Sequence, residues 1–196
     1  MKRGGRIKRT TKETKIELSL GLDGSGTAKV SSGNGFMDHM LTLFARHGLF
    51  DLEMHCKGDT EVDLHPSIED IGICLGQALA EALGEKRGIV RFATEYVPMD
   101  ESLARVCCDI SGRPNLVYEV SLIDRKIGEF ECDLVQDFFK GVTDHGKITL
   151  HIDLVRGRNS HHSVEAVFKA FGRALGAAAA ANPRAPGDIP STKGSL

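Results

Sequence analysis

The sequence predicts an α+β protein with a duplicated half-domain, in which a helical layer is sandwiched between two mixed β-sheets. Two long apolar helices are expected, at residues 65–84 and 160–181, and both have their apolar side chains at helical spacing. Segments with the two-residue alternation of strands precede each of them. Helices as apolar as these need cover on more than one side, which favours a helical layer between sheets.

The two long helices match each other in sequence. Six residues of the second helix lie 96 positions after their counterparts, without a gap: Ser163, Glu165, Gly172, Ala174, Leu175 and Ala178 match Ser67, Glu69, Gly76, Ala78, Leu79 and Ala82. A repeat of this length that occurs twice indicates duplication rather than an array of short units. We therefore divide the chain into a first half-repeat at residues 1–94, a second at 95–182 and a C-terminal tail at 183–196.

The composition is that of an ordinary soluble globular protein. The 196 residues are 41% hydrophobic and 6% aromatic, and the formal net charge is −2. This charge gives no reason to expect a nucleic-acid or membrane partner, and no segment reaches the ~20 apolar residues of a transmembrane helix. No apolar stretch follows the basic residues 1–5, so we expect no signal peptide and predict a cytoplasmic protein.

The cysteines indicate core residues rather than a metal or redox motif. Their number is odd and none has the Cys-x-x-Cys spacing. Free cysteine is among the most buried residue types, so we predict five reduced and buried side chains. They are Cys56, Cys74, Cys107, Cys108 and Cys132.

In the first half, the pattern predicts a hairpin, a helix and a strand. Residues 15–20 alternate apolar and polar side chains, turn at 23–26 and continue at 27–31, which is typical of a hairpin. Residues 35–48 have the spacing of an amphipathic helix, and 49–56 alternate as a half-buried strand. By composition, residues 9–14 are only a polar segment that leads into the hairpin.

In the second half, the pattern predicts four strands and one further helix before the long helix. The connection at 111–114 is a Ser-Gly-Arg-Pro turn, and His145 is expected in a solvated turn after the further helix. We predict strands at 90–97, 103–110, 116–122 and 147–155, a short extended segment at 129–132 and the further helix at 133–142.

A His-His-x-x-Glu motif opens the second long helix at His161, His162 and Glu165, with Asn159 or Ser160 as its N-cap. Positions i, i+3 and i+4 share one helix face, so both histidines can lie beside the glutamate. Neighbouring residues on a helix diverge by about 100°, which favours two metal ions over one.

The first long helix carries an incomplete copy of this motif. It keeps His65 and Glu69, but Pro66 stands where the second histidine would be. His151 lies on the polar face of the strand that leads into the complete motif and is a further candidate ligand. Imidazole with carboxylate suits Mn, Fe, Co, Ni or Zn rather than Mg or Ca. Two such ions could activate water for hydrolysis or hold and polarise a ligand, and the spacing leaves both open.

The C-terminal tail is rich in Pro, Gly and Ser, so by composition it is a flexible terminus. It could equally be a lid that brings Lys193 over a site.

Seven motifs along the chain resemble those of the imidazoleglycerol-phosphate dehydratase family of histidine biosynthesis. The resemblance covers residues 9–194 in order and without large gaps. The motifs are GFMDHML at 35–41, ARHG at 45–48, VPMDESLAR at 97–105, SGRP at 111–114, RNSHH at 158–162, FKA at 168–170 and STKG at 191–194.

The resemblance implies a ribosomal protein S5 domain 2-like fold and a homo-oligomer, a 24-mer built from trimers that share active sites. It also implies two Mn²⁺ ions per active site, with Glu13 as the catalytic acid and base. The implied metal ligands are His39, His65, Glu69, His151, His161, His162 and Glu165. The implied substrate and phosphate contacts are His47, Arg91, Arg113, Lys169, Ser191 and Lys193.

The family reaction removes water from D-erythro-1-(imidazol-4-yl)glycerol 3-phosphate to give 3-(imidazol-4-yl)-2-oxopropyl phosphate, which is imidazole-acetol phosphate. The hydrogen that is lost has no carbonyl beside its carbon, so a base alone would face a very weak acid. Metal ions on the substrate imidazole would change this as Lewis acids and templates.

One motif departs from the family pattern. Residues 63–66 are Asp-Leu-His-Pro where the family usually has Asp-Asp-His-His, so Pro66 replaces a metal-ligand histidine. Proline cannot ligate a metal, although it is tolerated in a first helical turn. Two hypotheses follow: an active dehydratase with one weakened metal site, or a catalytically impaired relative that assembles and binds metal or substrate. A dinuclear metallohydrolase fits the ligands but not the resemblance along the whole chain.

Overall fold

A computed structural model describes residues 3–58 and 63–196; the first two residues of the basic segment 1–5 lie outside this range. The first half contains a four-stranded sheet and two helices. Strands β1 and β2 and strands β2 and β4 are antiparallel, whereas β3 is parallel to β4. The elements are β1 (Gly4–Thr10), β2 (Thr14–Gly21), β3 (Ala28–Ser31), α1 (Gly35–Gly48), β4 (Asp51–Gly58) and α2 (His65–Leu83), and the strand order is β1-β2-β4-β3.

The second half has a sheet of the same topology. Its order is β5-β6-β10-β7, and only the β7–β10 pair is parallel. The order first, second, fourth, third is that of the first sheet. The elements are β5 (Phe92–Met99), β6 (Ser102–Asp109), β7 (Asn115–Glu119), the ribbon of β8 (Lys126–Ile127) and β9 (Phe130–Glu131), α3 (Leu134–Gly146), β10 (Thr149–Arg156) and α4 (Ser160–Ala179).

The helices form a layer between the two sheets. Helix α2 packs on β1 and β2, and α4 packs on β5 and β6. The helix pairs α1–α4 and α2–α3 each join one half to the other, and the buried apolar side chains form one continuous cluster. The predicted α+β class with a helical layer between two mixed sheets is confirmed.

The two helix pairs cross in the same way, with backbones in close contact at matched glycines. A Cβ added to Gly172 in α4 would lie 2.5 Å from the carbonyl oxygen of Phe44 in α1. A Cβ added to Gly76 in α2 would lie 2.6 Å from the carbonyl oxygen of Val142 in α3. Since these glycines correspond in the sequence repeat, the repeat extends to the packing of the helices.

The predicted hairpin is wrong. Strands β2 and β3 do not pair, because β4 lies between them. The connecting loop is held by the first residue of β4: Oδ1 of Asp51 accepts from the backbone N–H of Ser25 at 2.9 Å and of Thr27 at 3.2 Å. These bonds hold the loop next to β4, and β3 then pairs with β4 in the parallel direction.

Two further expectations need correction. The polar segment before the hairpin includes the end of β1, an edge strand that pairs along its whole length with β2. The further helix, expected to end at residue 142, continues to Gly146, so His145 lies in its last turn and its Nδ1 is 3.1 Å from the carbonyl oxygen of Gly141. The other elements agree with the prediction except for shifts of a few residues at their ends.

No helix in the described part of the chain has both the length and the apolar character needed to cross a membrane.

Candidate active site

The first turns of α1 and α4 bring three metal-ligand side chains together. Nε2 of His39 and Nε2 of His161 each lie 3.4 Å from Oε2 of Glu165. Within the described residues this is the only group of three such ligands whose donor atoms all lie within 4.8 Å of one another. Two atoms bound to one Zn-like ion are roughly 3.0–3.5 Å apart. The donor set of two imidazoles and one carboxylate therefore fits a transition-metal ion of the Mn-to-Zn series.

Side-chain caps fix the start of both helices. Asn34 caps α1 by accepting from the backbone N–H of Met37 at 3.0 Å, and Asn159 caps α4 by accepting from that of His162 at 3.2 Å. Of the two expected N-cap candidates, Asn159 and Ser160, Asn159 is the cap. Caps of this kind satisfy backbone donors that a helix start leaves unpaired. They fix the first turns, which carry the histidines.

Glu165 is buried but remains ionised because of its neighbours. Burial is the largest single influence and raises the pKa of this carboxyl, but the hydrogen bond and charge of Lys169 oppose it. Nζ of Lys169 donates to Oε1 at 2.6 Å, and His39 adds a smaller effect. The net result is a pKa below the usual range of a glutamate, which suits a metal ligand.

His162 points away from this cluster toward Glu101. Nδ1 of His162 donates to Oε2 of Glu101 at 2.9 Å, whereas Asp100 is 4.0 Å away. The hydrogen bond raises the pKa of His162 and lowers the pKa of Glu101 to about 2. The adjacent histidines thus diverge, as helix geometry requires.

His47 lies near Lys169 and Arg173. Burial lowers the pKa of this imidazole, and the positive charges of Lys169 and Arg173 lower it further. A neutral ring can both donate and accept a hydrogen bond. His47 also lines a small pocket with Leu49 and Glu95.

The motif of the first half lies at the start of α2, where His65 and Glu69 are exposed. Nδ1 of His65 is 3.6 Å from Oδ2 of Asp137 in the first turn of α3. The pair of Asp137 on α3 and His65 on α2 thus corresponds to the pair of His39 on α1 and His161 on α4. Neither residue belongs to the His39 cluster within the described part of the chain.

Asp137 is a candidate that sequence reasoning missed. A signal was available, because α1 and α3 also match: Ala-Arg-His-Gly at 45–48 corresponds to Thr-Asp-His-Gly at 143–146, an offset of 98 residues. At this offset His39 matches Asp137. The match was hidden because the residue at this position changes from histidine to aspartate between the copies.

Glu13 lies on an exposed turn between β1 and β2 that is tied to α2. Its backbone N–H donates to Oγ1 of Thr11 at 3.1 Å. The buried carboxylate of Asp70 accepts from Oγ1 of Thr14 at 2.5 Å and from Nε of Arg9 at 2.8 Å. Because Asp70 follows Glu69 on α2, this network holds the Glu13 turn against the helix that carries the first-half motif.

Arg91 and Arg113 converge on one carboxylate. Nε of Arg91 donates to Asp109 at 2.7 Å, and Arg113 lies 3.8 Å from the same side chain. The tail also lies here: Arg91 donates to the carbonyl oxygen of Pro190 at 2.7 Å, next to Ser191. Oγ of Ser191 in turn accepts from the backbone N–H of Lys193 at 3.2 Å. The expected phosphate contacts Arg91, Arg113 and Ser191 therefore lie close together.

His151 lies elsewhere, on the exposed face of β10. Its cross-strand partner is Cys107 of β6, and the shallow pocket around it is also lined by Phe92 and Thr94. The predicted polar face of the strand is confirmed. Its closeness in sequence to the His161 motif does not bring it into the His39 cluster, and its role as a ligand stays a prediction.

The cysteines largely behave as predicted. All five are free, and four are buried, while Cys107 is only half-buried. Burial raises the pKa of the Cys74 thiol to about 12 and also raises that of Cys56 and Cys132. Such thiols are poor nucleophiles at neutral pH.

Comparisons with known proteins extend these observations to the whole chain. Residues 32–175 match the family model of imidazoleglycerol-phosphate dehydratase. Two relatives of that name, from Aminomonas aminovorus and Methylobacillus flagellatus, are 53% and 54% identical over 194 residues, which is 99% of this chain and 100% and 98% of theirs.

Solved structures of two such enzymes have the same fold. The enzyme from Staphylococcus aureus is 44% identical with a TM-score of 0.83, over 91% of this chain and 99% of that one. The enzyme from Pyrococcus furiosus, in complex with (S)-C348, is 35% identical with a TM-score of 0.83, over 97% of this chain and 100% of that one.

Proposed function

The chain belongs to the imidazoleglycerol-phosphate dehydratase family of hydro-lyases in histidine biosynthesis, and from this premise we propose that it dehydrates D-erythro-1-(imidazol-4-yl)glycerol 3-phosphate at a dinuclear Mn²⁺ site. The observation that carries the dinuclear site is the divergence of His161 and His162. Nε2 of His161 and Nε2 of His39 face one oxygen of Glu165, while His162 is turned to Glu101. Two separate ions use these rings better than one.

The ligands divide accordingly. His39, His161 and Glu165 would hold one ion, and His162 would serve the other with His65 and Glu69. The last two lie on α2, outside the cluster of α1 and α4, so copies of the chain in a homo-oligomer would supply the two parts of each site. The family resemblance supplies the proposed assembly, a 24-mer built from trimers.

When bound, the ions supply Lewis-acid polarisation and a template for the substrate imidazole. Glu13 would take up the proton that the substrate carbon loses, since it is an exposed carboxylate on a turn held by the Asp70 network. Lys169 pairs with Glu165 and keeps it ionised, and its positive charge would lie beside the bound substrate. Neutral His47 can donate or accept a hydrogen bond to a substrate hydroxyl.

The phosphate would bind to Arg91, Arg113, Ser191 and Lys193. Arginine can hold phosphate oxygens with two parallel hydrogen bonds, and lysine adds a point charge. Asp109 lies 2.7 Å from Arg91 and 3.8 Å from Arg113, so both guanidinium groups share one neighbouring carboxylate. The tail residues lie against Arg91 through Pro190, so the tail would complete the phosphate site.

A catalytically impaired relative is the second candidate, and two residues of the first half favour it. Pro66 offers no ligand atom, and Asp137 offers an oxygen where the second half has the imidazole of His39. The two halves therefore present unequal donor sets. Such a chain would still assemble and bind metal or substrate without turnover.

The test uses full-length protein loaded with Mn²⁺ and then desalted. Metal content per subunit, oligomer mass by light scattering and product formation are measured on one sample. Two ions per subunit with formation of imidazole-acetol phosphate support the dehydratase, and Glu13→Gln should then abolish turnover while both ions remain. One retained ion without product would favour the impaired relative.

A further inference from the structure

We propose that Glu101 positions His162 for metal binding by keeping the proton of the ring on Nδ1 and leaving Nε2 free. The inference rests on the proposed function, because it takes His162 as a ligand of the second ion. It adds a residue that touches neither ion nor substrate and acts through the ring it orients.

The two carboxylate oxygens of Glu101 have separate partners. Oε1 accepts from the backbone N–H of Asn159 at 2.9 Å and of Arg158 at 3.2 Å, and from the hydroxyl of Ser102 at 3.2 Å. Oε2 accepts from Nδ1 of His162 at 2.9 Å. The first set holds the carboxyl plane in place, and the remaining oxygen can then fix the ring.

The chemistry of this contact determines the tautomer of the ring. An ionised carboxylate has no proton to donate, so Nδ1 of His162 must carry the hydrogen of the 2.9 Å bond. In the neutral ring the lone pair is then on Nε2. A carboxylate on the other ring nitrogen is the usual way in which proteins orient a metal-binding histidine and increase its basicity.

His162 differs in this respect from the other two histidines near the site. Nε2 of His39 and Nε2 of His161 face the metal-ligand carboxylate of Glu165 directly. Of these three rings, His162 is the one that donates from Nδ1 to a carboxylate outside the ligand group. Glu101 comes from the turn between β5 and β6, 61 residues earlier in the chain.

Glu101 also anchors the segment before α4, so the test must separate anchoring from orientation. Glu101→Gln does this, because the amide oxygen can still accept from Arg158 and Asn159 while the NH₂ group faces His162. Nδ1 must then accept, and the proton moves to Nε2, where it blocks the metal. Glu101→Ala removes both functions.

The experiment measures Mn²⁺ affinity of the full-length protein by calorimetric titration, with the thermal unfolding midpoint of the metal-free protein at pH 8 as a second readout. His162→Gln identifies the Mn²⁺ that depends on this ring. Glu17→Gln is the matched control, since Glu17 pairs with Lys8 on the surface of the other sheet. We expect Glu101→Gln to weaken the His162-dependent ion by about 10–100-fold, with an unfolding midpoint closer to that of the control than the midpoint of Glu101→Ala.

The outcomes separate this inference from the proposed function. If His162→Gln weakens one ion and Glu101→Gln does not, the positioning role is wrong and the dinuclear site stands. If His162→Gln leaves Mn²⁺ binding unchanged, the assignment of His162 as a ligand fails, and the inference fails with it. If Glu101→Ala weakens Mn²⁺ binding and Glu101→Gln binds Mn²⁺ as tightly as the original chain, Glu101 only anchors the segment before α4. That result would also overturn the proposal.

Discussion

Lys169 donates to Oε1 of Glu165 at 2.6 Å, one helical turn along α4. The other oxygen of the same carboxylate faces His39 and His161 at 3.4 Å. The carboxylate of Glu165 thus uses one oxygen for the lysine and the other oxygen for both imidazoles. Because both residues lie on a capped helix, their spacing is set by the i, i+4 geometry rather than by a loop.

Lys169→Met should shift the pH dependence of Mn²⁺ binding upward. Burial raises the pKa of Glu165, and the hydrogen bond and charge of Lys169 are the main influences that oppose it. Without the lysine the carboxyl protonates at a higher pH, so affinity is lost earlier as pH falls. Calorimetric titration between pH 5 and 8 measures the midpoint. Lys140→Met removes a similar but exposed i, i+4 pair with Asp144 and should leave the midpoint unchanged.

The Glu101–His162 pair should stabilise the metal-free protein most strongly in mildly acidic solution. The pKa of Glu101 is lowered to about 2 from 4.5, so its contribution is present above 4.5 and is lost as pH falls toward 2. The pKa of His162 is raised from 6.5, so its contribution is present below 6.5 and is lost as pH rises through its folded value. The two conditions overlap between pH 4.5 and 6.5.

The unfolding midpoint of Glu101→Gln, measured with EDTA, should therefore fall further below that of the original chain at pH 5.5 than at pH 8.5. Equal differences at the two pH values would show that the positive charge of His162 adds nothing and that the hydrogen bond from the imidazole to the carboxylate is the whole contribution.

Asp70→Ala should destabilise the fold by about 1–3 kcal/mol, because it leaves Arg9 and Thr14 without their common acceptor. Urea unfolding at fixed protein concentration measures the change. Glu17→Ala, which removes an exposed pair with Lys8, should stay within about 0.5 kcal/mol. Asp70→Ala should also lower turnover by a larger factor than it lowers the Mn²⁺ content, because the Glu13 turn loses its attachment to α2. A loss of Mn²⁺ in proportion to activity would argue against that attachment.

The helices and most strands could be predicted because their signals are local. Side-chain periodicity located α1 and α2 to within a residue at their starts, and the cap of α4 is Asn159, one of the two predicted candidates. The pairing of strands was less accessible. The loop after β2 has the residues of a hairpin turn, but whether β3 returns to β2 or to β4 depends on Asp51, about 25 residues later in the chain.

The candidate site was predictable mainly where one helix carries it. His161, His162 and Glu165 follow from spacing, whereas His39 is 126 residues from Glu165 and has no local signal that would pair the two. Its selection depended on the family resemblance. Asp137 was not predicted because it occupies the position that corresponds to His39 but is an aspartate, so a search for histidines does not find it.

Gly172→Ala should cost about 1–3 kcal/mol, since its methyl group would lie 2.5 Å from the carbonyl oxygen of Phe44 and force α1 and α4 apart. The same separation should weaken the ion held between His39 and Glu165, which lie on these two helices. Gly35→Ala is the control, because an added Cβ there has no atom within 4 Å, and it should stay within about 0.5 kcal/mol. Unfolding and Mn²⁺ titrations on both variants test the link between packing and the site. If Gly172→Ala lowers the free energy of unfolding but leaves Mn²⁺ affinity unchanged, the metal ligands adapt to the separation of α1 and α4.

Pro66→His should strengthen the binding of one Mn²⁺ ion by at least ~10-fold, which corresponds to ~1.4 kcal/mol. Pro66 lies in the first turn of α2 at the position that matches His162, so the new imidazole would add a ligand where the repeat has one. Pro66→Ala is the matched control: it removes the favourable first-turn proline without adding a donor, and it should leave affinity unchanged or lower. Titration of the two variants and the original chain, with turnover on the same samples, distinguishes the two candidate functions. A gain in both affinity and turnover with histidine alone would mean that the natural chain is limited by this ligand. Equal turnover in all three proteins would mean that the second ion is complete without it.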